Sequence, residues 1–362
     1  MAPFDKHPEL IVRQEEPLNG GPPLRLLGRY RITPTELFFV RNHASVPEID
    51  LRDYRLRVTG LVPRPLELSL DDLRQKFRPV SLEATLQCAG NRRQELMAVE
   101  AIPGEVPWGA EAVSTASWSG VPLKQLLEAS GLQPGVRHVA FTGLDEVDKG
   151  GEPFGFGGSI PLAKAMSDEV LLAYEMNGRP LPPVHGFPLR AVVPGYIGAR
   201  SVKWLGGIEA RKEPSENHFQ QRAYKRFPSS VRPDSADWSQ AEMLGEYPVN
   251  AVICEPGDGE TLGAGQVTVR GYALGLGGRR VEGVELSSDG ASTWIAAELS
   301  ESPQWSWCLW QARLGLQPGR HELVVRARDA AGHTQPADAA SIWNFKGYMS
   351  NPWQWVRLQA EE

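Results

Sequence analysis

In Val80-Ser81-Leu82-Glu83-Ala84-Thr85-Leu86-Gln87-Cys88-Ala89-Gly90-Asn91-Arg92-Arg93, apolar and polar residues take turns up to a glycine. Val80, Leu82, Ala84, Leu86 and Cys88 fall on one face. Ser81, Glu83, Thr85 and Gln87 fall on the other. A period of two is the mark of a half-buried strand, and Gly90 ends it. The strand delivers a thiol to a glycine turn that carries two arginines. Nearby guanidinium charge favours thiolate, the form of cysteine that ligates soft metals. The residues alone leave Cys88 open between that role and a buried structural cysteine.

Outward from this strand, short strands and short helices mix without a regular βαβ alternation. Tyr54, Leu56 and Val58 alternate with Arg55 and Arg57 as a second strand. Ser69 offers an N-cap for a short helix through Leu73. Residues 122–130 read as a helix closed by Gly131. Residues 161–166 read as a helix, and 139–142, 170–175 and 188–193 as strands. This predicts an α+β domain rather than a doubly wound sheet. The Pro-rich residues 1–34 read as an extended arm laid over it.

Beyond about Trp238 helical periodicity disappears. Short β runs recur at 251–254, 266–272, 281–287, 294–298, 305–312 and 321–328, separated by Gly-rich turns. About seven short strands in such a length predict an immunoglobulin-like sandwich, without the Cys…Trp…Cys pattern of antibody domains. The boundary falls near 240, giving units 1–240 and 241–362.

Composition bounds the function. The chain has 362 residues, 41% hydrophobic and 23% charged, with 37 Gly and 30 Pro. Those are ordinary values for a globular chain rich in turns. A net charge of −6 removes a globally basic nucleic-acid footprint, so any anion site must be a local concentration of Arg and Lys. No stretch is long and apolar enough to span a bilayer. Residues 1–20 hold no signal-like apolar core, and the C-terminus is not a peroxisomal address, which gives a cytoplasmic expectation. Three cysteines without a CxxC, and seven histidines without HExxH, leave no disulfide framework or protein-built metal cluster.

Three further segments carry chemistry-bearing residues. Phe38-Phe39-Val40-Arg41-Asn42-His43 places a cation, an amide and an imidazole in succession, a set able to hold an anion. His185-Gly186-Phe187-Pro188-Leu189-Arg190 pairs an imidazole with a guanidinium around a glycine that permits close backbone approach. A satisfied core histidine is the other reading of His185. Arg222, Tyr224, Lys225 and Arg226 form either a solvated basic face or a site where cations lower the tyrosine pKa for proton relay. No GxGxxG, GK[ST] or GxSxG occurs.

Residues 39–43, 86–93, 185–190, 201–205 and 342–347, in this order, resemble the motifs of the sulfite oxidase family, which carries a mononuclear molybdenum–molybdopterin cofactor. The resemblance implies that Cys88 binds molybdenum. It implies that Phe39, Val40, Arg41, Asn42 and His43 line the cofactor and substrate pocket. Asp145, His185, Arg190, Ser201, Val202 and Lys203 match positions that hold the cofactor, chiefly around its phosphate. Arg41, Arg93, Trp108 and Tyr224 match the anionic substrate pocket. A metal cycling between +6 and +4 needs a soft, electron-rich anchor, which thiolate supplies. The C-terminal unit matches the family's dimerisation domain, so a homodimer is expected, with the abundant Trp residues (294, 305, 307 and 310) as interface candidates.

The implied activity is oxidation of sulfite to sulfate with oxygen drawn from water. The alternatives are nitrate reduction or other oxo transfer on the same scaffold, and, in a different class, a non-catalytic binding protein. The family's WNLRG motif reads Trp343-Asn344-Phe345-Lys346-Gly347 here. Lys346 keeps the charge and loses the bidentate fork, which favours sulfite over the Met-bearing nitrate-reducing pattern. With no haem module in the sequence, electrons are expected to go to oxygen or a separate acceptor such as cytochrome c.

Overall fold

A computed structural model describes residues 3–362; Met1 and Ala2 of the expected arm lie outside the described residues. The strand Val80–Gln87 is present and stops one residue short of Cys88. It pairs antiparallel with Val113–Pro122, which pairs with Leu171–Met176. Arg179–Pro180 and Arg190–Val192 complete this five-stranded sheet. Leu171–Met176 is nearly all apolar because both sheet faces are covered. Leu172 joins a core with Leu56, Leu126, Phe141 and Ile208. Leu171 and Ala173 join another with Phe38, Phe39, Cys88, Trp108 and Trp118.

A second five-stranded sheet runs Leu66–Leu68, Leu56–Gly60, Leu205–Arg211, His138–Gly143, Gly157–Pro161, with one parallel pair between Leu56–Gly60 and Leu205–Arg211. The helix Leu70–Lys76 starts at Ser69 in a full capping box with Asp72, worth about 1 kcal/mol. Leu123–Ser130 ends at Gly131, whose φ of 69° suits glycine. These are the α+β elements the sequence predicts.

The arm is more ordered than extended coil. Ile11–Gln14 and Asn19–Gly21 form a sheet with Val40–Arg41, and Leu24–Leu27 is a helical turn. Leu10, Leu18 and Leu27 are buried and pin it.

Residues beyond 249 build a two-sheet β sandwich. One sheet orders Asn250–Glu255, Gly265–Leu274, Cys308–Leu316, Glu298–Leu299. The other orders Glu260–Gly263, Gln354–Glu361, Gly319–Asp329, Val281–Ser287, Ile295–Ala296. Both inner faces share one core, with Ile253, Val269, Trp310, Leu323, Val325 and Val356. The run 294–298 is not one strand: Ile295–Ala296 and Glu298–Leu299 belong to opposite sheets. The expected Trp excess is spent inside the chain. Trp307 and Trp310 are buried. Trp305 lies under the Lys164 ammonium, and Trp294 packs on Trp353 with the Arg326 guanidinium against both.

The two halves join over a third apolar cluster, including Ala89, Ile197, Phe219, Tyr224, Tyr247, Tyr272, Trp307 and Tyr348. Between the strands Gly319–Asp329 and Gln354–Glu361, the chain returns to the first half. There Trp343 donates its indole N–H to the Glu100 carbonyl at 3.2 Å.

Candidate active site

The sheet end at Gln87, the loop 38–43 and the segments 185–190 and 198–204 converge on one cavity. Phe39, Val40, Arg41, Asn42, His43, Cys88, Asp145, His185, Arg190, Ser201, Lys203 and Tyr224 line it. Twelve of the residues expected from the motifs therefore meet in one place, drawn from segments far apart in sequence. Phe38 and Trp204, which lie within the quoted segments without an expected role, line it as well, and so does Phe156, which carried no signal.

Four of the expected residues stand behind the wall. Val202 alternates away from Ser201 and Lys203 and sits in the main core, 1% exposed. Its carbonyl accepts from the Ala191 N–H. Trp108 is fully buried in the cluster that holds Cys88 and Phe39, its indole N–H without a partner. Arg93 and Lys346 form an outer layer. Arg93 donates to the Gly347 and Val106 carbonyls and covers the Tyr348 ring at 5.0 Å. That ring stacks on Tyr224 with centres 5.2 Å apart. Lys346 does not stand as a free point charge: its ammonium pairs with Glu105, which also lies 3.4 Å from Arg93. Gly347, at φ 59°, lets Arg93 pass, since a Cβ there would meet the Arg93 Cγ at 2.6 Å.

One side of the cavity is cationic. Arg190 is buried, donating to the His185 and Ser201 carbonyls at 2.9 and 3.0 Å and lying over Trp118. Burial pulls it down to about 9. Lys203 donates to the Val184 carbonyl at 3.1 Å and to Asn42 Oδ1. Desolvation, reinforced by Arg190, holds its pKa well below the usual lysine range. Gly186 makes this pair possible: at φ 107°, its missing Cβ would sit 3.1 Å from both the Arg190 and Lys203 Cβ atoms. The glycine thus makes room for two cations rather than for a ligand. Asp145 accepts from the Phe156 N–H at 2.9 Å, and burial raises its pKa. The Asn42 side-chain N–H group is buried in the wall with no partner.

Tyr224 Oη and His43 Nε2 are 2.7 Å apart. His43 packs between Phe156 and Phe219. Desolvation, with Arg41, keeps it neutral well below the usual histidine range. The expectation of a lowered tyrosine pKa is reversed. Burial outweighs the nearby Arg41 and Arg93 and raises it, so Tyr224 holds its proton. Cys88 also differs from expectation. Arg92 is turned to Glu95, Asn250 and the Pro352 carbonyl, and Arg93 to the outer layer. The group that faces the sulfur is the Gly90 backbone N–H, at 3.4 Å from Sγ.

Sequence reasoning passed over Glu105, Tyr348 and Lys6. Tyr348 adjoins the quoted Gly347 and was within reach. Glu105 meets Lys346 across 241 residues, and nothing local announces such a pair.

The residues fit a large anionic group with a metal attached. A single soft sulfur stands at the wall, a surplus of cations faces one carboxylate, and a buried amide donor is unspent. That combination defines a molybdopterin-type oxidoreductase site. The family model described as an oxidoreductase molybdopterin binding domain matches residues 43–219, and that of a Mo-co oxidoreductase dimerisation domain matches 241–361. The chain is 45% identical to the mitochondrial sulfite oxidase of Homo sapiens over 98% of its own length and 66% of that protein's. It is 39% identical to the sulfite oxidase of Arabidopsis thaliana over 98% of its length and 95% of the relative's. Its structure is similar to the sulfane dehydrogenase SoxCD of Paracoccus pantotrophus, with a TM-score of 0.81 and 26% identity over 95% of this chain and 87% of that one. The chain belongs to the sulfite oxidase family, whose cofactor is molybdenum–molybdopterin, which sets aside the reading as a non-catalytic binding module.

Proposed function

We propose that this chain oxidises sulfite to sulfate at a molybdenum–molybdopterin centre. The observation that supports it best is the single cavity in which Cys88, Arg41 and Tyr224 meet the Arg190–Lys203 cation pair. When bound, the cofactor supplies two-electron oxygen-atom transfer. The remaining work falls to the chain's own residues.

Cys88 would hold the metal through its soft sulfur, toward which the Gly90 N–H points. Arg190, Lys203, His185, Ser201 and the Asn42 amide would hold the pterin and its phosphate. Arg41 gives the substrate anion a cation within the cavity. It has neutral hydrogen-bond partners, Asn19 Oδ1 at 3.3 Å and the Asn42 carbonyl. Tyr224 and His43 share one hydrogen-bond proton across the 2.7 Å contact between Oη and Nε2; a proton arriving at Oη from the substrate side would pass the hydroxyl proton on to Nε2 in the tautomer that accepts there. The net reaction consumes water and releases two protons and two electrons, so a proton path from the cavity is required. Phe38 and Phe39, stacked at 5.4 Å, help keep bulk water out.

The reading extends to organisation. Residues 1–240 form the cofactor domain, and 241–362 an immunoglobulin-like domain through which two copies pair. No helix among the described residues is long and apolar enough to cross a membrane. The three cysteines are free and buried, which suits a reducing cytoplasm. Electrons leave to oxygen or to a separate acceptor such as cytochrome c. The test is steady-state turnover of sulfite with oxygen, cytochrome c and ferricyanide, alongside molybdenum per chain. A chain loaded with molybdenum that leaves sulfite unoxidised with every acceptor overturns the substrate.

A further inference from the structure

Lys6, in the N-terminal arm, is 5% exposed and reaches the back of the cofactor cavity. Its ammonium donates to the Thr35 and Phe38 carbonyls, both at 2.7 Å, and meets His185 Nε2 at 3.1 Å. In its ammonium form Lys6 has donors only, and Nε2 then accepts while the His185 proton sits on Nδ1. All three partners are neutral, and no carboxylate of the described residues pairs with this ammonium. Glu36 acts on it only at longer range, and burial still pulls Lys6 down to about 7. Lys203 and His185 both feel its charge as one more cation beside Arg190.

Two carbonyls and an imidazole could be satisfied by a neutral donor. A buried ammonium costs more and adds repulsion against Lys203. Glu36 balances the ammonium only at longer range, and Asp145 is the sole carboxylate among the cavity-lining residues, so a bound anion would supply the balance that the contacts of Lys6 lack.

We propose that Lys6 is a positioning residue for cofactor retention, its charge and its grip on His185 and the Phe38 carbonyl making the arm part of the phosphate-binding apparatus. The inference rests on the molybdopterin site described above. Lys6 does not line the cavity itself; it acts through His185 and through the long-range field on the phosphate. The arm thereby couples to loading, because the same ammonium closes the arm against the loop 38–43.

The test uses holoenzyme from a cofactor-competent host: wild type, Lys6→Met, Lys6→Gln and Lys6→Arg. The readouts are the rate of pterin release, followed by fluorescence of the oxidised pterin in filtrates, and molybdenum per chain. Lys6→Met and Lys6→Gln should release pterin roughly tenfold faster, the scale of one lost charge contact. Lys6→Arg should stay close to wild type. The melting temperature of cofactor-free Lys6→Met should equal or exceed that of the cofactor-free wild type, since an unbalanced buried charge has gone. Retention by Lys6→Met equal to wild type overturns the proposal. So does wild-type retention by Lys6→Gln, which would leave hydrogen bonding alone in play. A loss in Lys6→Arg matching Lys6→Met, with a parallel fall in cofactor-free melting temperature, assigns a packing role and also overturns it. A wild-type chain that takes up no molybdenum refutes the cofactor site as a whole, an outcome distinct from failure at Lys6.

Discussion

Glu105→Gln should tighten binding of the substrate anion. Glu105 is 16% exposed at its side chain and pairs with Lys346 and Arg93. It therefore cancels one of the two positive charges in the outer layer. Arg93 Cζ lies 5.0 Å from the Tyr348 ring centre, and that ring 5.2 Å from Tyr224's. Arg93 Cζ is thus at most about 10 Å from the Tyr224 ring centre, and Glu105 stands beside it; about 10 Å is taken as the working separation. At an effective dielectric constant of ~20, a unit charge there acts on another with ~1.7 kcal/mol. Screening over a Debye length of about 8 Å leaves roughly 0.5 kcal/mol per anion charge. For a dianion that is about 1 kcal/mol, or roughly fivefold in KM. Removal of the carboxylate should lower KM for sulfite by that factor, lower the inhibition constant for sulfate equally, and leave kcat nearly unchanged. Lys346→Met should raise KM by the same factor or less, because Glu105 then turns to Arg93 alone. The assay is steady-state kinetics at low and physiological ionic strength, with melting temperature as a fold control. An unchanged or raised KM for folded Glu105→Gln at low salt would refute the argument.

Cys88→Ser should keep the fold and lose sulfite oxidation, since a harder oxygen ligand replaces thiolate poorly on molybdenum; near-wild-type turnover of the loaded variant would contradict the ligand assignment. Tyr224→Phe leaves His43 Nε2 without its 2.7 Å partner. It should cost about 1–3 kcal/mol of stability and about 10²-fold or more in kcat if the hydroxyl moves the proton, read from calorimetry and turnover together. His43 and His185 have pKa values held below the ordinary histidine value by burial. The unfolded chain therefore binds more protons below pH ~6.5, and their contribution to stability should fall as pH drops through that range; a cofactor-free melting temperature flat from pH 7.5 to 5 would count against it. Sedimentation at micromolar concentration should give a dimer, and a monomer alone would remove the pairing role of the sandwich.

The strand Val80–Gln87 was legible because apolar residues repeat every second position, but it is not half-buried as the alternation predicts: burial rises toward its end on both faces, Thr85 and Gln87 being buried like Ala84 and Leu86. The cap at Ser69 and the stop at Gly131 were legible because each is a local chemical event. The last strand, Gln354–Glu361, was not read as a strand, although Val356, Leu358 and Ala360 alternate inward. The switch between Ile295–Ala296 and Glu298–Leu299 leaves no sequence mark, since a single apolar run serves either sheet. The arm's strands were hidden for another reason: Ile11–Gln14 and Asn19–Gly21 are short, and their partner Val40–Arg41 lies beyond the arm itself. The candidate site was legible wherever chemistry sits in a contiguous motif. It was opaque where residues meet only in the fold, as with Lys6 at His185 and Glu105 at Lys346. Arg92 and Arg93 mark the limit of proximity arguments: both neighbour Cys88 in sequence, and both turn to other partners.

The cations fall into two sets that differ in how they are balanced. Lys6, Arg190 and Lys203 surround the cofactor side with neutral hydrogen-bond partners. Arg93 and Lys346 share a carboxylate. A resident phosphate-bearing cofactor should bind once and stay, so unbalanced positive charge serves it, and its own charge offsets the burial cost. A substrate anion must arrive, react and depart as a dianion within each turnover. A site that bound product as tightly as it binds cofactor would be limited by release. Glu105 tempers the outer set by one unit, while Arg41 stays without a carboxylate at the cavity. The net charge of −6 acts in the same direction at low ionic strength, repelling anions from the general surface within about a Debye length. Attraction is thereby confined to the cavity, strongest where the ligand is permanent and moderated where it is transient.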